Sequence, residues 1–282
     1  MKKTTCKAKF ISDNKITVGF ISAFVLFFSS GYITDKIPCV TVYKLYSDKI
    51  ESGAVRIVNI SDLHNTLFGK EQSRLIKKLE ELSPDIIVAS GDIVNECEKY
   101  DNTVLFAQKA SRIAPVYYAS GNHERRAHEK EYLKLMDILS ENGINVLNDL
   151  NSTVNVGENT INIIGVDDWS LSDGTFKEKI NNMSISELYN VVLAHEPQYF
   201  EDYSTLNCEL VLCGHEHGGQ IRLPFIGGLF APDEYFFPKY SEGEFIKNGT
   251  EMIVSRGLGN QIIFCPRFFN LPEIVCIDIS SE

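Results

Sequence analysis

"AVRIVNISDLH" (54–64) is an apolar run that ends in two metal-capable side chains, Asp62 and His64, one residue apart. The run is short and rich in Val and Ile, which predicts a buried strand over 54–61. On an extended or turning backbone, positions i and i+2 point roughly the same way, so the carboxylate and the imidazole face one volume at the strand's C-terminal end. The pattern repeats downstream. "KEQSRLIKKLEEL" (70–82) is helical, with apolar spacing at Leu75, Ile76, Leu79 and Leu82, and "PDIIVASGD" (84–92) is again a strand. "TVLFAQKASRI" reads as a helix, "APVYYASGNH" as a strand, and "HEKEYLKLMDILSENG" as a helix closed by Gly143. This βαβαβ alternation predicts an α/β sheet. The second half predicts short strands near 144–147, 152–156, 161–166, 190–194, 210–213, 251–255 and 273–278, broken by a loop-rich, aromatic stretch over 222–246.

Polar side chains follow strand after strand. "SGD" ends in Asp92, "SGNHE" supplies Asn122 and His123, "NVVLAHEP" supplies His195, and "LCGHEHGGQ" (212–220) supplies His215 and His217 between glycines. Five of the six histidines take such positions; His128 lies in a helical stretch. Taken singly, Asp92 or Asn122 is explained as a turn or helix cap, and His195 as a polar loop residue. Jointly they exceed what caps and turns require. Ligands of open α/β sheets gather at the carboxyl ends of strands, so these residues are expected to share one crevice.

The 282 residues suffice for a substantial core. Lys and Arg number 27 against 38 Asp and Glu, a net charge of −11. An acidic body argues against a nucleic-acid groove, while bound cations would still admit a phosphate substrate. The seven cysteines have no CxxC spacing, which excludes a zinc knuckle and leaves them as mostly reduced structural residues. Between Lys15 and Asp35 lie 19 uncharged residues, "ITVGFISAFVLFFSSGYIT". As a helix they would span about 28 Å, near the ~30 Å of a bilayer's hydrocarbon. Lysines precede the run, so the expectation is a single-pass cell-membrane anchor with a cytoplasmic N-terminus and an external body. A secreted form cleaved after small residues at 29–31 is the alternative. The organisation expected is anchor (1–35), connector (36–54) and catalytic domain (55–282).

The ordered motifs "DLH", "GD", "GNHE", "AHE" and "GHEH" resemble those of the calcineurin-like metallophosphoesterases, over about residues 55–278. "GHEHGGQ" and "SRGLGN" further resemble the membrane-associated branch of that family, which includes relatives described as UDP-2,3-diacylglucosamine hydrolases; Glu216 departs from its usual Thr. The resemblance implies a four-layer α/β/β/α sandwich preceded by a transmembrane helix. It also implies two divalent metal ions, with Mn²⁺, Fe and Zn²⁺ all compatible with N/O ligands lacking thiolate. One ion would take Asp62, His64 and His217, the other Asn122, His195 and His215, with Asp92 bridging. His123 would stabilise the phosphoryl oxygens or protonate the leaving oxygen. Arg256, and more weakly Asn260 and Arg267, are candidates for substrate contact. The implied activity is hydrolysis of a phosphomonoester, phosphodiester or pyrophosphate, of a small molecule or a lipid-linked envelope precursor. A nucleotidase or nuclease and a non-catalytic metal-binding module are the alternatives.

Overall fold

Strands carry most of the architecture. The structure is a computed structural model that describes residues 17–18, 20–22, 24–25, 28–29, 31–95, 100–223, 225–231, 236–260 and 266–281. In chain order the strands are β1 (Cys39–Tyr46), β2 (Ala54–Ile60), β3 (Ile86–Ser90), β4 (Val116–Ala119), β5 (Ile144–Val146), β6 (Leu150–Val156), β7 (Asn159–Gly165), β8 (Tyr189–Leu193), β9 (Leu210–Cys213), β10 (Arg222–Leu223), β11 (Gly227–Gly228), β12 (Gly243–Lys247), β13 (Thr250–Val254) and β14 (Glu273–Ser280). One six-stranded sheet has the order β1-β14-β2-β3-β4-β5 and another has β12-β13-β9-β8-β7-β6. Parallel pairing dominates both, with antiparallel pairs at β14–β2, β12–β13 and β6–β7.

The strand period of two sorts side chains into layers. In β9, Leu210 and Leu212 face the core between the sheets, whereas Val211 and Cys213 face the opposite side. In β3, Ile86 and Val88 point inward between the sheets, while Ile87 and Ala89 meet the helices α1 (Ser73–Leu82), α2 (Asp101–Ala110) and α4 (Glu129–Glu141), which follows the short α3 (Asn122–Arg125). The other sheet is covered by α5 (Asp168–Asp173), α6 (Phe176–Met183) and α7 (Phe200–Tyr203) through Leu171, Phe176, Ile180, Phe200 and Tyr203. The layers therefore run helix, sheet, sheet, helix. Leu212 is wholly buried between the sheets. Leu212→Ala is expected to lower the unfolding free energy by about 2–5 kcal/mol, the range for a leucine truncated in a close-packed core. Urea unfolding measures it, and a loss below about 1 kcal/mol would mean the sheets are loosely packed there.

The expected membrane anchor is corrected. Among the described residues no helix is long and apolar enough to cross a membrane, so the single-pass topology with an external body is not upheld. Residues 1–16 lie outside those described. The described residues of 17–34 are helical, and the end of this stretch packs on the body instead of standing apart. A methyl on Gly31 would sit 2.9 Å from Pro266 Cβ, and the Phe28 ring meets that of Phe268 edge-on at 5.2 Å. Residues 36–54, read as a connector, supply β1, which pairs in parallel with β14 from Cys39↔Glu273 to Tyr46↔Ser280.

Candidate metal centre

Each site residue leaves the carboxyl end of a strand. Asp62 and His64 follow β2, Asp92 follows β3, Asn122 and His123 open α3 after β4, His195 follows β8, and His215 and His217 follow β9. Asp62, His64, Asp92, His215 and His217 all have positive φ, from 46° to 73°. Such backbone costs a non-glycine residue about 1–3 kcal/mol and persists where the surroundings over-determine it. The hydrogen bonds that do so are present. Asp62 N donates to Gly91 O at 3.1 Å and His64 N to Asp92 O at 3.0 Å, which ties the first two loops together. His215 N donates to Asp62 Oδ1 at 3.1 Å. Gly214 allows that approach, because a methyl there would overlap Ser61 Oγ and Asp62 Oδ2.

Three overlapping groups of donor atoms result: Asp62, His64 and His217; Asp62, Asp92 and His195; and His64, Asp92 and His123. His64 Nε2 is 3.1 Å from His217 Nε2, which in turn is 3.4 Å from Asp62 Oδ1. Two ligands about 2.1 Å from one cation are separated by roughly 3.0–3.4 Å at octahedral or tetrahedral angles, so these edges fit a shared ion. His195 Nε2 is 3.1 Å from Asp92 Oδ2, while His64 Nε2 and His123 Nε2 are each 3.9 Å from it. The far ring nitrogens set the orientations. His195 Nδ1 donates to Ser90 O at 2.8 Å and His64 Nδ1 to Asn95 Oδ1 at 2.8 Å, so both rings are turned with Nε2 toward the cluster. This arrangement suits metal ligation. His215 stands beside His195, ring edge to face at 5.2 Å. Asn122 Nδ2 donates to Asp92 Oδ2 at 3.0 Å, and in the same amide orientation its Oδ1 accepts from Arg126 Nη2 at 2.9 Å.

Charge follows from burial and proximity. Burial opposes ionisation of Asp92, but His195 and then His64 hold its carboxyl well below the usual range. Burial pushes the His217 imidazole down to about 3, against the pull of Asp62, so it is neutral and able to ligate at ordinary pH. Divalent cations would meet two ionised carboxylates and an imidazole set that fits them in type and reach.

His123 lies at the rim. Its backbone N donates to Asp92 Oδ1 at 2.9 Å, and its side chain keeps 13% exposure where the ligand carboxylates have almost none. Arg256 is ion-paired: Glu273 Oε1 lies 2.8 Å and Glu242 Oε2 3.2 Å from its guanidinium. Asn260 bridges Asp35 and Gln220, and Arg267 is wholly buried on backbone carbonyls. All three are thus tied to the surrounding scaffold by hydrogen bonds or ion pairs.

Residue-by-residue reading missed the supports. Glu124, the last letter of "GNHE", accepts from Asp92 N (3.0 Å), Gly121 N (2.8 Å) and Val94 N (3.1 Å), locking two ligand loops together. Burial, with Asp92 nearby, raises its carboxyl to about 7. Asn95 gave only a weak signal, a polar residue three positions after Asp92 in the same loop. Asn270, which donates to His217 O at 2.7 Å, gave none.

The calcineurin-like phosphoesterase family model matches residues 55–219. The chain is 28% identical over 232 residues to the uncharacterized metallophosphoesterase YkuE of Bacillus subtilis (strain 168), spanning 80% of this chain and 79% of that one. It is 27% identical over 246 residues to the phosphodiesterase YaeI of Escherichia coli (strain K12), spanning 84% and 86%. The phosphopantetheinyl hydrolase PptH of Mycobacterium tuberculosis superposes with a TM-score of 0.46 at 12% identity, over 72% of this chain and 89% of that one. The fold of this family binds two divalent metal ions, and the Asp and His groups clustered here provide for them. With more than half of its length matched, the chain belongs to the calcineurin-like phosphoesterases and is a metal-dependent hydrolase of phosphoric esters.

Proposed function

We propose that the chain is a two-metal phosphodiesterase. In this reading Asp62, His64 and His217 hold one cation, Asn122, His195 and His215 hold the other, and Asp92 lies between them. The observation that carries it is the overlap of donor sets, since Asp92 belongs both to the group with His195 and to the group with His64. When bound, the cations supply an activated water and polarise a phosphoryl oxygen. Asp62 and Asp92 offset cation repulsion with fixed charge. Glu124 keeps their loops in register through three backbone N–H groups. His123, at the rim, delivers a proton to the departing oxygen.

The diester is supported by YaeI, a relative that carries the name phosphodiesterase and aligns along most of both chains. Exposed apolar side chains support a substrate with a lipid or other apolar part. Phe225, Ile226, Phe236 and Phe237 are exposed on loops leaving the His217 turn, which is joined to them where Leu229 N donates to Gly219 O at 3.2 Å. The test uses the full chain stripped of metal and reloaded with Mn²⁺, on bis-p-nitrophenyl phosphate and p-nitrophenyl phosphate. Restored hydrolysis of the diester above that of the monoester is expected. Restoration on the monoester alone would move the reading to a phosphomonoesterase, and restoration on neither would leave a metal-binding module. A long-chain alkyl nitrophenyl phosphate with a lower KM than its methyl counterpart is the result expected of an apolar subsite; equal KM values would remove it.

A further inference from the structure

Asp35 lies upstream of the family-matched region 55–219, yet it reaches the metal-ligand turn by two hydrogen-bonded routes. It is 6% exposed, and its Oδ1 accepts from Arg267 N at 3.1 Å while its Oδ2 accepts from Asn260 Nδ2 at 2.9 Å. Along the first route, the buried Arg267 guanidinium donates to Gly257 O at 2.8 Å, Gly259 O at 3.2 Å and His217 O at 3.2 Å. Along the second, Asn260 Oδ1 accepts from Gln220 Nε2 at 3.1 Å, and Gln220 is the residue on which the His217 turn ends. The same segment also reaches Asp62, since Leu258 N donates to Ser61 O at 3.0 Å and Gly259 N to Asp62 O at 2.5 Å.

Energetics require such a support. His217 has φ 48°, a conformation that a non-glycine residue keeps where its surroundings add to the turn's own bonds, such as Gln220 N to His217 O at 3.2 Å. Arg267 adds one from outside, to His217 O, but a fully buried guanidinium needs an opposing charge. Among the charges that act on it, Asp35 is the strongest that favours its protonated form. The close packing of Gly31 against Pro266 and Phe268 brings Asp35 to that position.

We propose that Asp35 is a positioning residue of the metal centre, fixing through Arg267 the carbonyl of His217 and through Asn260 the Gln220 end of its turn, and hence the aim of the His217 imidazole. The segment before the matched region is then a working part of the site. The inference rests on the reading of His217 as a metal ligand. Its test needs no turnover. Full-length metal-free protein is titrated with Co²⁺ alone, and visible absorption reports two dissociation constants. Asp35→Ala should weaken one constant by about 10–100-fold, the range for partners that orient a ligand from behind, and leave the other nearly unchanged. Asp35→Asn keeps the size and one acceptor oxygen and should give a smaller loss in the same constant. A purely structural role would instead leave both constants unchanged, or shift both together with the urea midpoint, and either result overturns the proposal. Should Asp35→Ala not fold, Asp35→Asn decides by the same split. His217→Ala separates the two layers of the argument. If it keeps both constants, the ligand reading fails; if it loses one while the Asp35 variants lose none, positioning alone fails.

Discussion

Asp92→Asn is expected to weaken both cations at once and to remove most of the turnover. The substitution keeps shape and removes charge from a wholly buried carboxylate whose Oδ2 lies 3.1 Å from His195 Nε2 and 3.9 Å from His64 Nε2. Taking away one side of a buried, paired charge costs about 3–5 kcal/mol, which at ~1.4 kcal/mol per decade is roughly 10²–10⁴-fold in affinity. Sharing between two cations spreads that loss over both. The measurement is metal per chain after dialysis against a graded series of chelators, with activity followed in parallel. Asp62→Asn is the necessary comparison, because Asp62 also appears in two donor groups, one with His64 and His217 and one with Asp92 and His195. Loss of both ions from the Asp62 variant and of one from the Asp92 variant would exchange their roles. Two ions retained by Asp92→Asn would remove the shared carboxylate from the mechanism.

His123→Ala should keep both metals yet lower turnover by about 10²–10⁴, the range for a general acid. Geometry gives this prediction an edge, because His123 is also placed in a donor group with His64 and Asp92. Its ring packs edge-on against that of His64 at 4.8 Å, and Arg126 Nη1 lies 3.3 Å from its Nε2. Partial exposure and the neighbouring cation suit a group that meets substrate from the rim. The loss should shrink for a good leaving group such as nitrophenolate, which scarcely needs a proton, and be full for an alkoxide. His217→Ala, by contrast, should lose metal and activity together for either leaving group. A His123 variant that loses metal as the His217 variant does would make His123 a ligand. An equal loss on both leaving groups would leave it to stabilise phosphoryl oxygens and not to act as the acid.

The central sheet strands and the gathering of Asp and His side chains after them were legible because both rest on local pattern. An apolar run such as Ile86–Ser90, followed by "GD", states its burial and its cargo in adjacent residues. The helix expected at 70–82 is a 3₁₀ turn and then α1, because Glu71 and Gln72 adopt positive φ. β1 was missed although "CVTVYKLY" alternates, because its pairing partner lies at the far end of the chain and the apolar run before it suggested a linker. β12 overlaps the end of the loop-rich stretch 222–246; "GEFIK" is partly exposed and, among the described residues, pairs only with β13. The membrane reading rested on composition alone, and among the described residues no helix is long and apolar enough to cross a membrane. The ion pairs of Arg256 with Glu242 and Glu273 likewise depend on segments outside its own motif. Roles that depend on which carboxylate arrives from elsewhere are not written locally.

The insertion of β14 between β1 and β2 has a temporal consequence. Cys39 donates through its Sγ to Pro272 O, 233 positions later, and β1 pairs in its sheet through β14. At ~5–20 residues per second of ribosomal synthesis, those positions take roughly ten to fifty seconds to emerge. β2 to β5 can assemble early, since they are consecutive and mutually parallel. Throughout that interval β1 is an unpaired, Val- and Tyr-rich edge, the kind of segment that pairs with other nascent chains. The first strand of the sheet therefore gains its partner only once β14 has been made, and until then its pairing edge is open to other chains.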